Sequence, residues 1–184
     1  MEETSSLPVE TQALSFSEFL AALIQSFDKE GLRPCILRNY EGFPASNVGG
    51  DVDFLIRPSE LPRAIRALGS LRGIRIVGYA ERHYVAHVFV EGVSSEPGIR
   101  ALGLDFIWSL NWKGLEYLST DAVLQTAMPR RAGDLTFLVP SPVHEAIISL
   151  LSSQLIGGWL KEKYFPKVQQ TFAGERSEVI AALA

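Results

Sequence analysis

The segment Gly49-Gly50-Asp51-Val52-Asp53-Phe54-Leu55-Ile56 sets two carboxylates two residues apart in an otherwise apolar run. On a strand alternate side chains share a face, so Asp51 and Asp53 point one way and Val52, Phe54 and Ile56 the other. Adjacent carboxylates repel unless a positive charge sits between them. Hard oxygen donors at this spacing suit Mg²⁺ or Mn²⁺, held together with waters and substrate phosphates. Gly49 and Gly50 leave the backbone bare just ahead of the pair, where a phosphate can approach closely. A third acid, Asp105, stands inside Leu102-Gly103-Leu104-Asp105-Phe106-Ile107. An unpaired buried charge is expensive, so both segments carry an acid where packing alone would select a hydrophobe. If the two strands are sheet neighbours, three carboxylates converge on one patch. Such a patch can support two metal ions about 3.5–4 Å apart, the arrangement that stabilises attacking and leaving oxygens in phosphoryl chemistry.

Other candidates carry two readings each. His83 and His87 lie four residues apart and are expected to share a strand face. There they line a substrate pocket, join a carboxylate on a metal, or are satisfied by neighbouring carbonyls. Trp108, Trp112 and Tyr117 follow the Asp105 strand and either stack on a base or sugar or pack the sheet end. Lys161, Lys163 and Lys167 either meet a phosphate or form a solvated helix end. His144, next to Pro142 at a helix start, reads as structural. Cys35, in an apolar strand, reads as a small buried hydrophobe.

These residues need elements to position them. Phe16, Phe19, Leu20, Leu23, Ile24 and Phe27 recur at helical spacing, with Ser17 as the expected N-cap and Gly31 as the left-handed residue past the end. Pro34 to Arg38 reads as a strand and is followed by a loop of turn formers. After the Asp51 strand, Ser59 is expected to cap a helix carrying Leu61, Ala64, Ile65 and Leu68, with Pro62 in its first turn. Ile74 to Tyr79 and Tyr84 to Glu91 make a hairpin, 92–98 a loop, and Ile99 to Trp108 a strand. Helices are expected at Thr120 to Met128 and Pro142 to Trp159, with a strand at Leu135 to Val139 between them. The tail from Lys167 to Leu183 reads as helical. The order predicts an α+β domain: a flexible leader at 1–14, a core at 15–140 and a helical cap of the same domain at 141–184.

Composition agrees and excludes other classes. A chain of 184 residues with 47% hydrophobic and 21% charged residues is a globular protein, not a disordered one. Seventeen Lys and Arg against 21 Asp and Glu give a net charge of −4, which argues against a nucleic-acid coat. One cysteine excludes an internal disulfide and a four-cysteine zinc site. Met1 to Glu10 has no secretory pattern, and the apolar run from Ala146 to Trp159 is shorter than the roughly 20 residues that span a bilayer. The expectation is a cytoplasmic protein without a membrane segment. The chain stops inside Val179-Ile180-Ala181-Ala182-Leu183-Ala184, an apolar face that calls for a longer parent chain or a second copy.

The stretch Leu37-Arg38-Asn39-Tyr40-Glu41-Gly42-Phe43-Pro44, with Gly50-Asp51-Val52-Asp53, resembles the nucleotidyltransferase superfamily of polymerase-β-like fold, in particular a bacterial branch. Members of that branch often carry a Leu-Arg-x-Tyr-Glu segment before the Asp-x-Asp strand. The similarity continues more weakly through Asp105 to Glu145 and Lys161-Glu162-Lys163-Tyr164, covering most of the chain. It implies a central mixed β-sheet flanked by helices, a C-terminal helical segment, and Asp51, Asp53 and Asp105 as catalytic metal ligands. It also implies a metal-dependent transfer of a nucleoside monophosphate from a nucleoside triphosphate to a hydroxyl of a small molecule or protein. The superfamily's Gly-Ser turn is missing, and Arg38-Asn39 stands in its place. Arg38 either grips a phosphate bidentately or pairs with Asp51 or Glu41, while Asn39 and the Gly49 and Gly50 backbone face the phosphates. Two rival readings remain: a non-catalytic binding or regulatory module that lost the turn, and a metal-dependent phosphohydrolase.

Overall fold

Fourteen residues, Phe16–Lys29, form the first helix because their apolar side chains recur on one face, and Phe19, Leu20 and Leu23 are fully buried. The structure is a computed structural model, and it describes residues 13–47, 50–94 and 101–183. The helix starts two residues earlier than the sequence suggests. Ser15, not Ser17, is the N-cap: its hydroxyl accepts the Glu18 amide at 3.2 Å, and the Glu18 carboxylate accepts the Ser15 amide at 2.8 Å. Ser17 has no acid three residues on, so it cannot form this reciprocal pair. Gly31 takes the left-handed conformation expected of it, at φ +66°.

Chain order gives β1 (Leu14–Ser15), α1 (Phe16–Lys29), β2 (Cys35–Ile36) and β3 (Asp51–Leu55). Then come α2 (Leu61–Gly69), β4 (Arg75–Arg82), β5 (Val85–Glu91), β6 (Val93–Ser94) and β7 (Leu102–Ile107). The hairpin β8 (Leu110–Trp112) and β9 (Leu115–Leu118) leads into α3 (Thr120–Gln125), β10 (Met128–Ala132) and β11 (Leu135–Val139). The chain ends with α4 (Pro142–Ser152), α5 (Phe165–Gly174) and α6 (Arg176–Leu183). Leu14, expected in the leader, instead pairs in parallel with Val93; residues 1–12 lie outside the described residues.

Several boundaries shift for physical reasons. Ser59 sits inside a single 3-10 turn, Pro58–Glu60, rather than capping α2. The helix expected to reach Met128 stops at Gln125, and Met128 begins a strand. Pro129 disfavours helix at the residue before it and is tolerated in β10 because β10 is an edge strand. The β8–β9 hairpin turns on Lys113-Gly114, both at positive φ, a less recognisable turn than Asn-Gly. The helix expected to run to Trp159 widens after Ser152 into a π-helical turn, Ser153–Gly157, closed by Gly158 at φ +80°.

Seven strands form the main mixed sheet in the order β10-β11-β2-β3-β7-β5-β4. Two hydrophobic layers cover it. Helices α1 and α2 pack on one face against Val52, Phe54, Val88, Leu104 and Phe106, with the Phe54 and Phe106 rings stacked at 5.5 Å. On the other face Cys35, Leu37 and Leu55 meet Val143, Ile147 and Ile148 of α4 and Val179 of α6. Asp51, Asp53 and Leu55 share that second face by strand alternation. No side chain from β4 or β5 joins this second cluster, so the helical layer stops short of the far half of the sheet. Among the described residues, no helix is long and apolar enough to cross a membrane.

Candidate active site

Strands β3 and β7 run parallel with Asp53 opposite Asp105 and Asp51 opposite Gly103. Residues directly opposite on neighbouring strands are close, so the register alone brings three carboxylates together. One oxygen from each of Asp51, Asp53 and Asp105 lies within 4.8 Å of the others. Asp51 is exposed, Asp105 half-buried and Asp53 buried. Their shared face is the open one beside the helical layer.

A cation and an imidazole flank the acids. Arg38 Nε donates to Asp53 Oδ2 at 2.6 Å, and Arg38 Nη1 donates to Ser152 Oγ at 3.0 Å. Arg38 therefore pairs with Asp53, not with Asp51 or Glu41. On the far side, His87 on β5 stands opposite Asp105, with Nδ1 2.8 Å from Asp105 Oδ1. The row across the sheet reads Arg38, Asp53, Asp105, His87.

Electrostatics follow from this order. Partial desolvation of Asp51, although its side chain reaches solvent, raises its carboxyl pKa above the ordinary value, and repulsion from Asp53 and Asp105 adds to it. Burial also raises Asp105, although its bond to His87 and that residue's charge pull it down. Burial pulls Arg38 downward, but the charge and hydrogen bond of Asp53 outweigh it and the guanidinium ends more firmly protonated. An excess of partly desolvated negative charge is what a divalent cation relieves. The Arg38 and His87 contacts each use one carboxylate oxygen of two. The donor set therefore fits Mg²⁺ or Mn²⁺.

Gly50 immediately precedes Asp51, and Asn39 immediately follows Arg38. Gly50 has φ +81°, a conformation that side chains other than glycine rarely adopt, and a Cβ there would meet nothing within 4 Å. Gly49 lies outside the described residues. Asn39 has φ +60°, and its Oδ1 accepts Lys163 Nζ at 2.7 Å and Tyr164 OH at 3.1 Å. Its carbonyl end thus faces the helical cap. Lys163 and Lys167 do not form a freely solvated helix end. Lys167 pairs with Glu145 and reaches Glu41 at 3.4 Å, while Tyr40 OH donates to Glu145 Oε2 at 2.6 Å. Sequence reasoning named Lys163 as a candidate phosphate contact and Glu145 and Tyr164 only within the resemblance, and it missed Ser152 and the bonds that tie these residues to the loop after β2. The only signal in the chain is a pair of polar clusters far apart in sequence.

Among the described residues, none of the remaining candidates hydrogen-bonds the triad, although Tyr117 lies near enough to Arg38 to feel its charge. His83 sits on the β4–β5 turn, exposed beside Glu81, Arg82 and Trp108, and does not share a strand face with His87. The turn interrupts the alternation that the spacing suggested. Trp108 and Tyr117 are partly buried against opposite hydrophobic layers, and Lys113 Nζ lies 4.6 Å from the centre of the Trp112 ring. His144 is buried, with Nδ1 2.9 Å from Thr126 Oγ1. Cys35 is fully buried, and burial pushes its thiol pKa far up.

No protein-family model and no curated protein sequence matches the chain. A solved structure of ANT(2")-Ia, an aminoglycoside nucleotidyltransferase, in complex with adenylyl-2"-tobramycin does. It aligns over 89% of this chain and 91% of its own, at 11% identity and a TM-score of 0.52. The fold is nucleotidyltransferase-like. JHP933 from Helicobacter pylori also aligns, over 91% of this chain and 76% of its own, at 9% identity and a TM-score of 0.39. In a nucleotidyltransferase-like fold the acid-bearing β3 and β7, side by side in the sheet, give the triad a structural context that the motif alone lacked.

Proposed function

We propose that the chain is a metal-dependent nucleotidyltransferase that moves a nucleoside monophosphate from a nucleoside triphosphate to a hydroxyl of a small molecule or protein. The observation that carries this is the in-register pairing of Asp53 with Asp105, which gathers three carboxylates on the open face of a nucleotidyltransferase-like fold. Asp51, Asp53 and Asp105 would hold Mg²⁺ or Mn²⁺, and the bound ion supplies positive charge to the phosphate oxygens. The residues do the rest. Arg38 and the Gly50 backbone steady the triphosphate from the β2 side. Asp105 accepts the proton of the attacking hydroxyl, and His87, bonded to one of its two carboxylate oxygens, holds the carboxylate in orientation.

Melting curves with Mg²⁺ and each of ATP, GTP, CTP and UTP test the reading. One of these combinations should stabilise the protein, by about 2.7 kcal/mol at one hundred times its dissociation constant. No shift with any of the four would sink it. The second reading, a binding module without catalysis, is favoured by Arg38, which already occupies Asp53 where the superfamily has its Gly-Ser turn. Stabilisation by metal and triphosphate without any transfer or pyrophosphate release would decide for that module.

A further inference from the structure

Among the described residues, nothing covers the part of the triad's face that continues past it toward β5. Helices α4 and α6 pack over the β2–β3 side, while β5 presents His87 and then Phe89 on the same face. Phe89 is 46% exposed, beside a carboxylate cluster where a large apolar side chain gains little from burial. Its two cross-strand partners are both glycines: Gly103 on β7 and Gly78 on β4. The ring fills the room they leave. A Cβ at Gly78 would lie 3.0 Å from Phe89 Cδ2, and a Cβ at Gly103 would lie 3.7 Å from Phe89 Cε1 and 3.4 Å from Asp51 Cβ. A side chain at either position would crowd the ring or the triad. The result is an exposed aromatic surface one strand from Asp105, with a glycine directly opposite it on both neighbouring strands.

The row Arg38, Asp53, Asp105, His87 gives the site a direction. In an in-line phosphoryl displacement the attacking and leaving oxygens lie on opposite sides of phosphorus. If the triphosphate is steadied by Arg38 and Gly50, pyrophosphate departs toward β2 and the hydroxyl arrives over β7 and β5. That is the uncovered half of the face, where Phe89 lies.

We propose that Phe89, set between Gly78 and Gly103, is the acceptor shelf, and that the acceptor is a small polyhydroxy ring compound of the sugar class. This rests on the nucleotidyl-transfer reading above and names its substrate class. Such a ring has one face rich in C–H groups, which lies on the aromatic surface, and hydroxyls at its edge, one of which reaches Asp105. An open-chain alcohol and a serine side chain have no such face. In the step, the acceptor oxygen forms a bond to the α-phosphorus and the bond from that phosphorus to the β-phosphate oxygen breaks. Pyrophosphate leaves with the electron pair, and the hydroxyl proton passes to Asp105.

The test gives the whole protein Mg²⁺, the four nucleoside triphosphates and an equimolar mixture of probes. These are glucose, N-acetylglucosamine and myo-inositol as rings, glycerol and ribitol as open chains, and a peptide containing Ser and Tyr. Nucleotidylated products are read by mass. Ring compounds should carry the nucleotide. Phe89→Ala should lower their yield about tenfold or more at matched triphosphate occupancy, with Phe89→Tyr retaining it. Gly78→Ala, whose Cβ presses on the ring, should lower it as well. Product on the open chains or the peptide, or ring product unchanged in Phe89→Ala, overturns the shelf. So does a Phe89→Ala protein that loses triphosphate affinity in parallel, because a ring that only braces the sheet would act that way. Wild-type protein that binds a metal–triphosphate and labels no ring also overturns it. Failure to bind any triphosphate removes instead the donor reading on which the shelf rests.

Discussion

Arg38 and Asp53 form an ion pair at 2.6 Å that joins the loop after β2 to the middle of β3, with the Asp53 side chain only 4% exposed. The pair answers the question that a buried acid in an apolar strand raises. Asp53 has its compensating charge within the chain. Asp51, two residues earlier and exposed, has no such partner at hydrogen-bond distance among the described ion pairs, and partial desolvation and its two acidic neighbours push its pKa up. The uncompensated repulsion within the triad therefore falls on Asp51.

Asparagine substitutions at the two positions should part company. Asp53→Asn removes the charge from a hydrogen bond to Arg38, and should cost on the order of 2 kcal/mol of apo stability. Asp51→Asn relieves repulsion and should leave apo stability level or slightly raised. Both should abolish stabilisation by Mg²⁺ with a triphosphate. Urea melts with and without those ligands measure all four quantities. If Asp51→Asn destabilises the apo protein as much as Asp53→Asn, repulsion at the triad is not the governing term.

Asn39 ties the same loop to the helical cap and does so in a left-handed conformation. Asn39→Gly loses the bonds to Lys163 and Tyr164 but keeps the backbone at ease. Asn39→Ala loses the same bonds and adds the left-handed penalty, about 1–2 kcal/mol. Alanine should therefore be the worse substitution by about that amount in equilibrium unfolding. Equal stabilities would mean that the loop changes conformation once the bonds to the cap are gone.

Glu145 is 5% exposed and is held by the Tyr40 hydroxyl and the Lys167 ammonium. Lys167→Met should cost about 1–2 kcal/mol, a figure lowered because Lys167 is 39% exposed and partly screened by water. Adding Glu145→Gln to that variant should recover much of the loss, since the carboxylate left without its ammonium is then gone. A double-mutant cycle measures the coupling, and additive losses would deny it.

The sequence made the parts of this site visible and left their assembly dark. Alternation on β3 is readable because Val52 lies between two acids and Phe54 follows the second, and the convergence with Asp105 follows once β3 and β7 are neighbours. His87 was recognisable as a residue type, but its contact with Asp105 depends on the register of β5 against β7, which no local pattern encodes. The same holds for Lys163 and Asn39, which are 124 residues apart. Helix ends went astray where two serines competed, as at Ser15 and Ser17, because the capping box is decided by the residue three positions on. Phe89 carried no signal at all. Its exposure is created by two glycines on other strands.

His144 gives a pH dependence of a definite sign. It is 8% exposed in α4, and burial lowers its pKa below the ordinary imidazole value. In the unfolded chain the imidazole titrates at about pH 6.5, so between that value and the lowered one the unfolded state binds the proton and the folded state does not. Stability from neutral His144 is therefore fully present above about pH 6.5 and is lost as pH falls through the folded-state value. Asp51 and Asp105 act with the opposite sign: their raised pKa values contribute stability below the unfolded carboxylate range that is lost as pH rises. A direct pH profile mixes the two. The difference between wild type and His144→Gln does not, because glutamine can still bond Thr126 and does not titrate. That difference should move against the wild type as pH falls from about 7.5 to about 5.5 in urea melts. A difference that stays flat across this window would show that the His144 imidazole takes its proton as readily in the folded chain as in the unfolded one.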